Sequence, residues 1–391
     1  MSQGITQLAN KEAPAKVIRV AHILSGSNVW GVENYVHNLL SSKNSQMLAP
    51  SVICTKAGVI SEKFIGSGFQ VTTVPMKNYY DLTAINTLSD FFTANSIDVV
   101  HVHLGLDSFV GTIAAKKANK PVIMSVHFDH PNYMSYSLVA KNIWNGLQKL
   151  KNKGISHFLP ITKNVAAELI ARESVPEEKI TVIHPGIPLF ENDPSTRTQV
   201  RRQLECSEDD VVIVGIGRLE KEKNFSCLFD AVSQMKNEKP FRVWIIGDGS
   251  ERENLKRSIE ELKIGDRVKM LGYRSDVIQL LGAADIFVLP SKAEPFGMSA
   301  VEAMIARLPV VATRGPGLGT IVDDEVTGIL VPADDATAMA NALIRLVNDE
   351  GLRSQFAQAG RKRAETLFSS DGMASKMVDV YKTVIQEHAR H

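Results

Sequence analysis

Twice along the chain, short apolar runs rich in β-branched residues alternate with stretches of helical periodicity, and this double rhythm restricts the fold more than any other feature. The first series opens with "KVIRVAHIL" (16–24) and the helical "GVENYVHNLL" (31–40). It continues through "PSVICT" (50–55), "FQVTTVP" (69–75), "DVVHVHLG" (98–105), "PVIMSVH" (121–127), "HFLPIT" (157–162) and "KITVIHPG" (179–186). A Pro-rich polar stretch, "PGIPLFENDPSTRTQ" (185–199), reads as a linker. The rhythm then restarts with strands expected at 210–217, 241–247, 267–272, 285–291, 308–313 and 327–332. Helices are expected at 224–236, 251–262, 296–306 and 335–347, and 350–388 reads as helical throughout. Such alternation predicts an α/β fold with parallel strands and helices on both faces. At 391 residues the chain exceeds what one core serves, so two doubly wound domains of similar size are expected. Ligands of such sheets bind beyond the carboxyl ends of the strands, so a cleft between the two would collect both sets of loops.

Composition removes several classes. The net charge of +1 does not point to nucleic acid. No apolar run approaches the roughly 18–20 residues of a transmembrane helix. The N-terminal "MSQGITQLANKEAPAK" has no apolar core and reads as a loose tail (1–16), not a secretory signal. Cys54, Cys206 and Cys227 lie far apart without a CxxC pair, which suits a reducing cytosol and neither a zinc ribbon nor a disulfide framework.

Two loops after strands of the second series carry the chemistry. "GIGRLEKEKN" (215–224) places Arg218 and Lys223 ahead of a helix, with Gly215 and Gly217 allowing close backbone approach. Two cations and a helix N-terminus make a diphosphate cradle, although a solvated, charge-mixed loop would account for the same residues. The stretch is no dinucleotide fingerprint, because Glu220 stands where the third glycine belongs. "AEPFGMSAVEAM" (293–304) sets Glu294 and Glu302 eight residues apart around a helix start expected near Pro295. Free amides of Phe296, Gly297 and Met298 would then face the cleft with partial positive charge. Glu302 lies too far into the helix to cap it. One carboxylate before the amides and one after suits a ligand with hydroxyls at both ends and phosphates between.

These residues resemble the E-x7-E motif of the retaining glycosyltransferases of family 4, which have the GT-B fold. The likeness extends over about 17–370: "GIGRLEKEKN", "GDGSERENL" (247–255), "LGYRSDVIQLLGAADIFVLPS", "LPVVAT" and "TGILVP" in the second half, and "WGVENYV" (30–36), "DVVHVHLG" and "VIMSVHFDH" in the first. The resemblance implies two Rossmann-like domains facing a central cleft. An acceptor-binding domain would span 17–190 and a nucleotide-sugar-binding domain 191–371, with a helix over 372–391 crossing back to the first. It implies transfer, with retention, of a hexose or N-acetylhexosamine from a UDP- or GDP-linked donor to a hydroxyl acceptor. The acceptor would be lipid-linked or a saccharide, in surface polysaccharide or lipopolysaccharide biosynthesis.

By the same resemblance, Arg218 and Lys223 bind the diphosphate. Glu294 contacts the transferred sugar with the amides of Phe296, Gly297 and Met298, Glu302 takes the ribose hydroxyls, and the backbone at Tyr273 and Arg274 takes the base. Gly31 sits against the diphosphate or acceptor, and His127 near the reacting sugar. Cofactor and metal are expected to be absent, since such enzymes meet the diphosphate with protein cations. The chain departs from the family in having Trp30-Gly31 where two glycines are usual, and "HPGIP" (184–188) where Asn-Gly-x-Asp is common. A nucleotide-sugar epimerase of the same fold, a Rossmann dehydrogenase and a nonenzymatic sugar-binding protein are the alternatives. The E-x7-E pattern, the missing third glycine and the intact set of cations and carboxylates argue against them in turn.

Two further features stand out. His101 and His103 alternate on one strand, so they share a face; with His127 and His130 they suggest a metal site, but packing at strand ends is the better reading because no Cys or Asp cluster accompanies them. Between His130 and Ala167 there is no Asp or Glu, while Lys141, Lys149, Lys151, Lys153 and Lys163 are present. At 100° per residue Tyr136, Val139, Ile143, Leu147 and Leu150 form one stripe. A helix over 134–153 could therefore lie on an anionic membrane surface, each base contributing about 1 kcal/mol, in a cytoplasmic protein peripheral at the inner face. Packing of the stripe on its own sheet would account for the same pattern.

Overall fold

A computed structural model describes residues 17–24, 30–103, 105–127, 146, 148–236 and 238–390. The expected tail (1–16), His130, Lys141, and most of the apolar stripe of 134–153 (Tyr136, Val139, Ile143 and Leu147) lie outside these residues.

Two six-stranded parallel sheets form the frame. The first contains β1 (Ile18–Leu24), β2 (Leu48–Cys54), β3 (Gln70–Thr73), β4 (Val99–Val102), β5 (Val122–Val126) and β6 (His157–Pro160), in the order β3-β2-β1-β4-β5-β6. The second contains β7 (Val211–Ile216), β8 (Phe241–Ile246), β9 (Val268–Gly272), β10 (Ile286–Leu289), β11 (Val310–Thr313) and β12 (Gly328–Val331), in the order β12-β11-β10-β7-β8-β9. Every residue of β4, β10 and β11 is buried, as a sheet covered by helices on both faces demands. That double burial is why these strands read as continuous apolar runs. In both sheets the order reverses beside the first strand: between β1 and β4, and between β7 and β10. These switch points open crevices at the carboxyl ends of the strands.

Three local expectations are corrected. "KITVIHPG" is not a ladder strand. Its backbone lies beside β6 through Thr181 N–H to Phe158 O (3.0 Å) and Ile183 N–H to Pro160 O (3.1 Å), with a single bridge at Ile180. Pro185 has no N–H to extend the pairing. The helical stretch 350–388 is broken into Glu350–Leu367 and Ser370–His388, where the Ser369 side chain caps the second helix by accepting from Gly372 N–H. The helix expected from Pro295 begins at Met298.

The terminal helix Ser370–His388 packs on the first sheet. Its Met373, Ala374, Met377, Val378, Tyr381 and Val384 share a core with Val20, Val52, Val99 and Ile123. The chain therefore runs between the sheets twice, and the two passages are bonded to each other. Ile187 N–H donates to Phe368 O (2.8 Å), and Ser370 N–H donates to Ile187 O (3.0 Å). No described helix is long and apolar enough to cross a membrane.

Candidate active site

At the β7/β10 switch point the two chemistry-bearing loops meet. After β7 the chain makes a short 3-10 turn (Lys221–Lys223), and Asn224, left-handed at φ 55°, starts the helix Phe225–Gln234. The turn aims Lys223 across the crevice, where its Nζ donates to Glu294 Oε2 at 2.5 Å, with both side chains largely covered. Ser291 Oγ donates to the same oxygen at 3.3 Å. Arg218 is more open and pairs with Glu222 at 3.2 Å, a surface contact of little energetic weight that an anion could displace. Glu220 has a structural use: its carboxylate accepts from Ser250 Oγ (2.6 Å) and Ser250 N–H (3.3 Å), tying this loop to the one after β8. Gly247, at φ +140°, lies so close that a Cβ there would stand 1.8 Å from Gly217 O.

The helix Met298–Ile305 starts from Gly297 at φ +103°, a conformation that favours glycine. A Cβ at Gly297 would also lie 2.8 Å from Leu318 Cδ2 and 3.4 Å from Glu294 Cγ. With the start moved to Met298, the open first-turn amides belong to Met298 and Ser299 as well as Gly297. None of the three, nor Phe296 N–H, donates to an acceptor among the described residues. Glu302 is the fifth residue of this helix, just over one turn in. Burial pushes its carboxyl up to about 7, opposed by the ammonium of Lys63 from the first half of the chain. Lys63, on the helix Val59–Gly66, donates to Asn34 Oδ1 at 2.6 Å. The spacing of the sequence held no signal for Lys63, because its partner is more than two hundred residues away.

The remaining predicted residues lie at other strand ends. Tyr273 follows β9 and is 66% exposed, and Arg274 is fixed by a two-pronged pair with Asp276 (2.7 and 2.5 Å). Gly31 is the second residue of the helix Trp30–Leu40. A Cβ there would meet nothing within 4 Å, so internal packing does not require a glycine. His127 follows β5, is 6% exposed, and joins its Nε2 to His103 Nδ1 at 3.3 Å. Of the 134–153 bases, Lys149 and Lys153 are exposed, but Lys151 is not. It is buried, with Nζ 5.4 Å from the centre of the Phe109 ring, and desolvation lowers it to about 8.

The first sheet's switch point adds two groups that the sequence reading missed. Glu33 and Asp107 lie in the first turns of the helices after β1 and β4. Both are buried, and neither carboxylate has a hydrogen-bond partner among the described residues. Burial pushes each up to about 7, and for Asp107 the neighbouring Glu33 adds to the rise. A rule for finding them would have been acidic residues in first turns at a switch point. His22, His101 and His103 carry ring nitrogens within 4.8 Å of one another, close enough to hold an ion. Every one of those nitrogens already has a hydrogen-bond partner, so the arrangement is accounted for without a metal.

Known proteins share this frame. A D-inositol 3-phosphate glycosyltransferase of Salinispora tropica is 30% identical over 325 residues, covering 75% of this chain and 66% of that protein. The lipopolysaccharide core biosynthesis glycosyltransferase LpsD of Rhizobium meliloti is 33% identical over 181 residues, covering 46% and 52%. The crystal structure of HepE from Anabaena in complex with UDP and glucose superposes with a TM-score of 0.81 over 94% of this chain and all of that one, at 22% identity, and so shares the fold. Residues 29–190 match Glycosyltransferase Family 4, and residues 196–363 match Glycosyl transferases group 1. These spans take in every strand except β1, and the chain belongs to the GT-B glycosyltransferases of the group 1 and family 4 kind.

Proposed function

We propose that the protein is a retaining hexosyltransferase. It takes a hexose or N-acetylhexosamine from a UDP- or GDP-linked donor and passes it to a hydroxyl of a lipid-linked or saccharide acceptor, in surface polysaccharide or lipopolysaccharide assembly. The observation that carries this reading is the Lys223–Glu294 pair at the second sheet's switch point, beside open helix amides. HepE, which shares the fold, binds UDP and glucose, and LpsD serves lipopolysaccharide core synthesis; both agree with the reading.

The donor diphosphate lies against Arg218, Lys223 and the Gly297–Ser299 amides, which meet negative charge as the bond to the sugar breaks. Glu294 holds Lys223 in place and faces the sugar ring. The leaving phosphate oxygen accepts the acceptor's proton, so no side-chain base is needed. Glu302 binds the ribose hydroxyls, the backbone at Tyr273 and Arg274 the base, Gly31 admits the diphosphate or acceptor, and His127 meets the sugar.

The test is steady-state kinetics with UDP- and GDP-sugars in EDTA buffer. Ribose hydroxyls do not change during reaction, so Glu302→Gln raises the donor KM; Glu294→Gln lowers kcat. Each costs roughly 1.5–3 kcal/mol in kcat/KM if a charged hydrogen bond is lost. Free UDP or GDP weakens with Glu302→Gln and not with Glu294→Gln. Equal weakening by both variants, or no transfer from any donor of these two classes, refutes the assignment.

A further inference from the structure

The buried histidines of the first sheet form one continuous hydrogen-bonded chain, and its direction can be worked out. It runs from Tyr35 Oη to Ser125 Oγ (3.1 Å), from Ser125 Oγ to His101 Nε2 (2.9 Å), and from His101 Nδ1 to Tyr381 Oη (2.6 Å). It continues from Tyr381 Oη to His22 Nε2 (3.5 Å), from His22 Nδ1 to His103 Nε2 (3.3 Å), and from His103 Nδ1 to His127 Nε2 (3.3 Å). All seven residues are buried, and desolvation holds all four imidazoles well below their ordinary range, so they are neutral at pH 7. A neutral imidazole donates through one nitrogen and accepts through the other, and a hydroxyl has one proton to give. A hydroxyl can also accept twice, but Ser125 or Tyr381 doing so would leave its own proton unbonded in the core. With each hydroxyl passing its proton along, turning round one link turns round all of them, which leaves two arrangements for the whole chain.

The arrangements differ at the ends. In one, Tyr381 donates to His101, Ser125 donates to Tyr35, and the Tyr35 hydroxyl proton is left with no acceptor among the described residues. The His127 Nδ1 lone pair is then bare as well. In the other, Tyr35 donates to Ser125 and every buried proton reaches an acceptor along the chain. The single exception is His127 Nδ1–H, which belongs to the one ring nitrogen of the four histidines without a partner among the described residues. The first arrangement suits the 2.6 Å contact slightly better, since an O–H donor tolerates that distance. Each arrangement leaves one donor unbonded, but the Tyr35 hydroxyl belongs to a residue 1% exposed, whereas His127 is 6% exposed and follows β5 at the carboxyl end of the sheet, where a ligand can accept its Nδ1 proton, so the second arrangement prevails.

We propose that this chain holds His127 as the neutral Nδ1–H tautomer, opposite to the Nε2–H form that free histidine favours, and that His127 meets the transferred sugar as a hydrogen-bond donor and not as a base. Tyr381, His22, His101 and His103 are positioning residues, and Tyr381 brings the terminal helix into the setting of a side chain at the end of β5. The sugar contact rests on the transferase reading above; the tautomer does not.

The experiment is long-range 1H–15N correlation on protein labelled with 15N-histidine, with His127 assigned from the signals lost in His127→Gln. Wild type is expected to show a protonated Nδ1 and a bare Nε2 at His127. Tyr381→Phe removes the hydroxyl joining the two halves of the chain, so the second tautomer appears at His127. Transfer assays on that variant are then expected to show kcat falling with the share of the lost form while donor KM holds. An Nε2–H signal in wild type, or a tautomer unmoved by Tyr381→Phe, overturns the proposal. If Tyr381→Phe does not fold, Ser125→Ala cuts Tyr35 from the chain and is read in the same way. A tautomer that shifts with kcat unchanged removes the sugar contact, and a wild type without transferase activity is a failure of the transferase reading alone.

Discussion

A buried carboxylate without a partner is costly, and Asp107 and Glu33 make that cost visible as a pH dependence. The folded-state value of Asp107, about 7, lies above that of an unfolded aspartate. Its protonated form is therefore the favoured one in the fold. The stability it supports is complete below about pH 4 and is lost as pH rises through about 7, on the order of 4 kcal/mol. The groups bearing on it are Glu33, which raises it further, and Lys151, which opposes the rise. Asp107→Asn removes the titration and keeps the shape, so melting curves should show it raising Tm at pH 8 by several degrees and much less at pH 5. An equal shift at both values would mean that the carboxyl is solvated. Such residues were not legible in advance, because Glu33 and Asp107 look like ordinary first-turn acids until the strand order brings their helices to one switch point. His22 was missed for a related reason: its partners His101 and His103 are neighbours only through the pairing of β1 with β4.

Strands and helices of the doubly wound halves were the legible level. Continuous apolar runs such as "DIFVLPS" signal burial on both faces, and the structure places β10 within that run. What failed was local geometry at ends. Nothing in the composition of 350–388 marks the break at Phe368–Ser369, since only the bridge to Ile187 and the cap on Gly372 require it. The start of the Met298 helix was misplaced for a comparable reason. Pro295 suits a first turn, but the positive φ of Gly297 delays the helix by three residues. Gly297→Ala tests that device. It forces a side chain into a left-handed conformation against Leu318, and should cost about 1–3 kcal/mol of stability. Because the distortion falls on the open amides, the affinity for free UDP or GDP should drop as well. A variant that melts and binds like wild type would show that the turn has room to relax.

At the scale of the whole molecule, the first sheet is finished by residues from the far end of the chain. Met373, Met377, Val378, Tyr381 and Val384 are all within its core. At roughly 1.5–3 kcal/mol for each buried side chain, their loss is comparable with the entire 5–15 kcal/mol that holds a domain folded. A chain ending at Ser369 should therefore lose cooperative melting in the first half. A sharp transition within a few degrees of the full-length protein would refute this.

The two passages between the sheets also limit how the halves can move. A single tether permits swinging about two axes and twisting about a third. Here two strands of chain are joined side by side at Ile187 and Phe368–Ser370, and a Cβ at Gly186 would stand 2.6 Å from Ser370 Cα. Twisting would shear both hydrogen bonds, whereas swinging about the line of the pair leaves them whole, so one degree of freedom is much softer than the others. The rings of His184, Phe296 and Phe368 pack together beside that axis, 5.5–5.9 Å between centres, His184 stacked on Phe296 and Phe368 edge-on to both, and Phe296 is two residues from Glu294. Angle and occupancy are thereby coupled: any ligand that reorients the Glu294–Gly297 turn exerts torque directly on the pivot, with no lever arm in between.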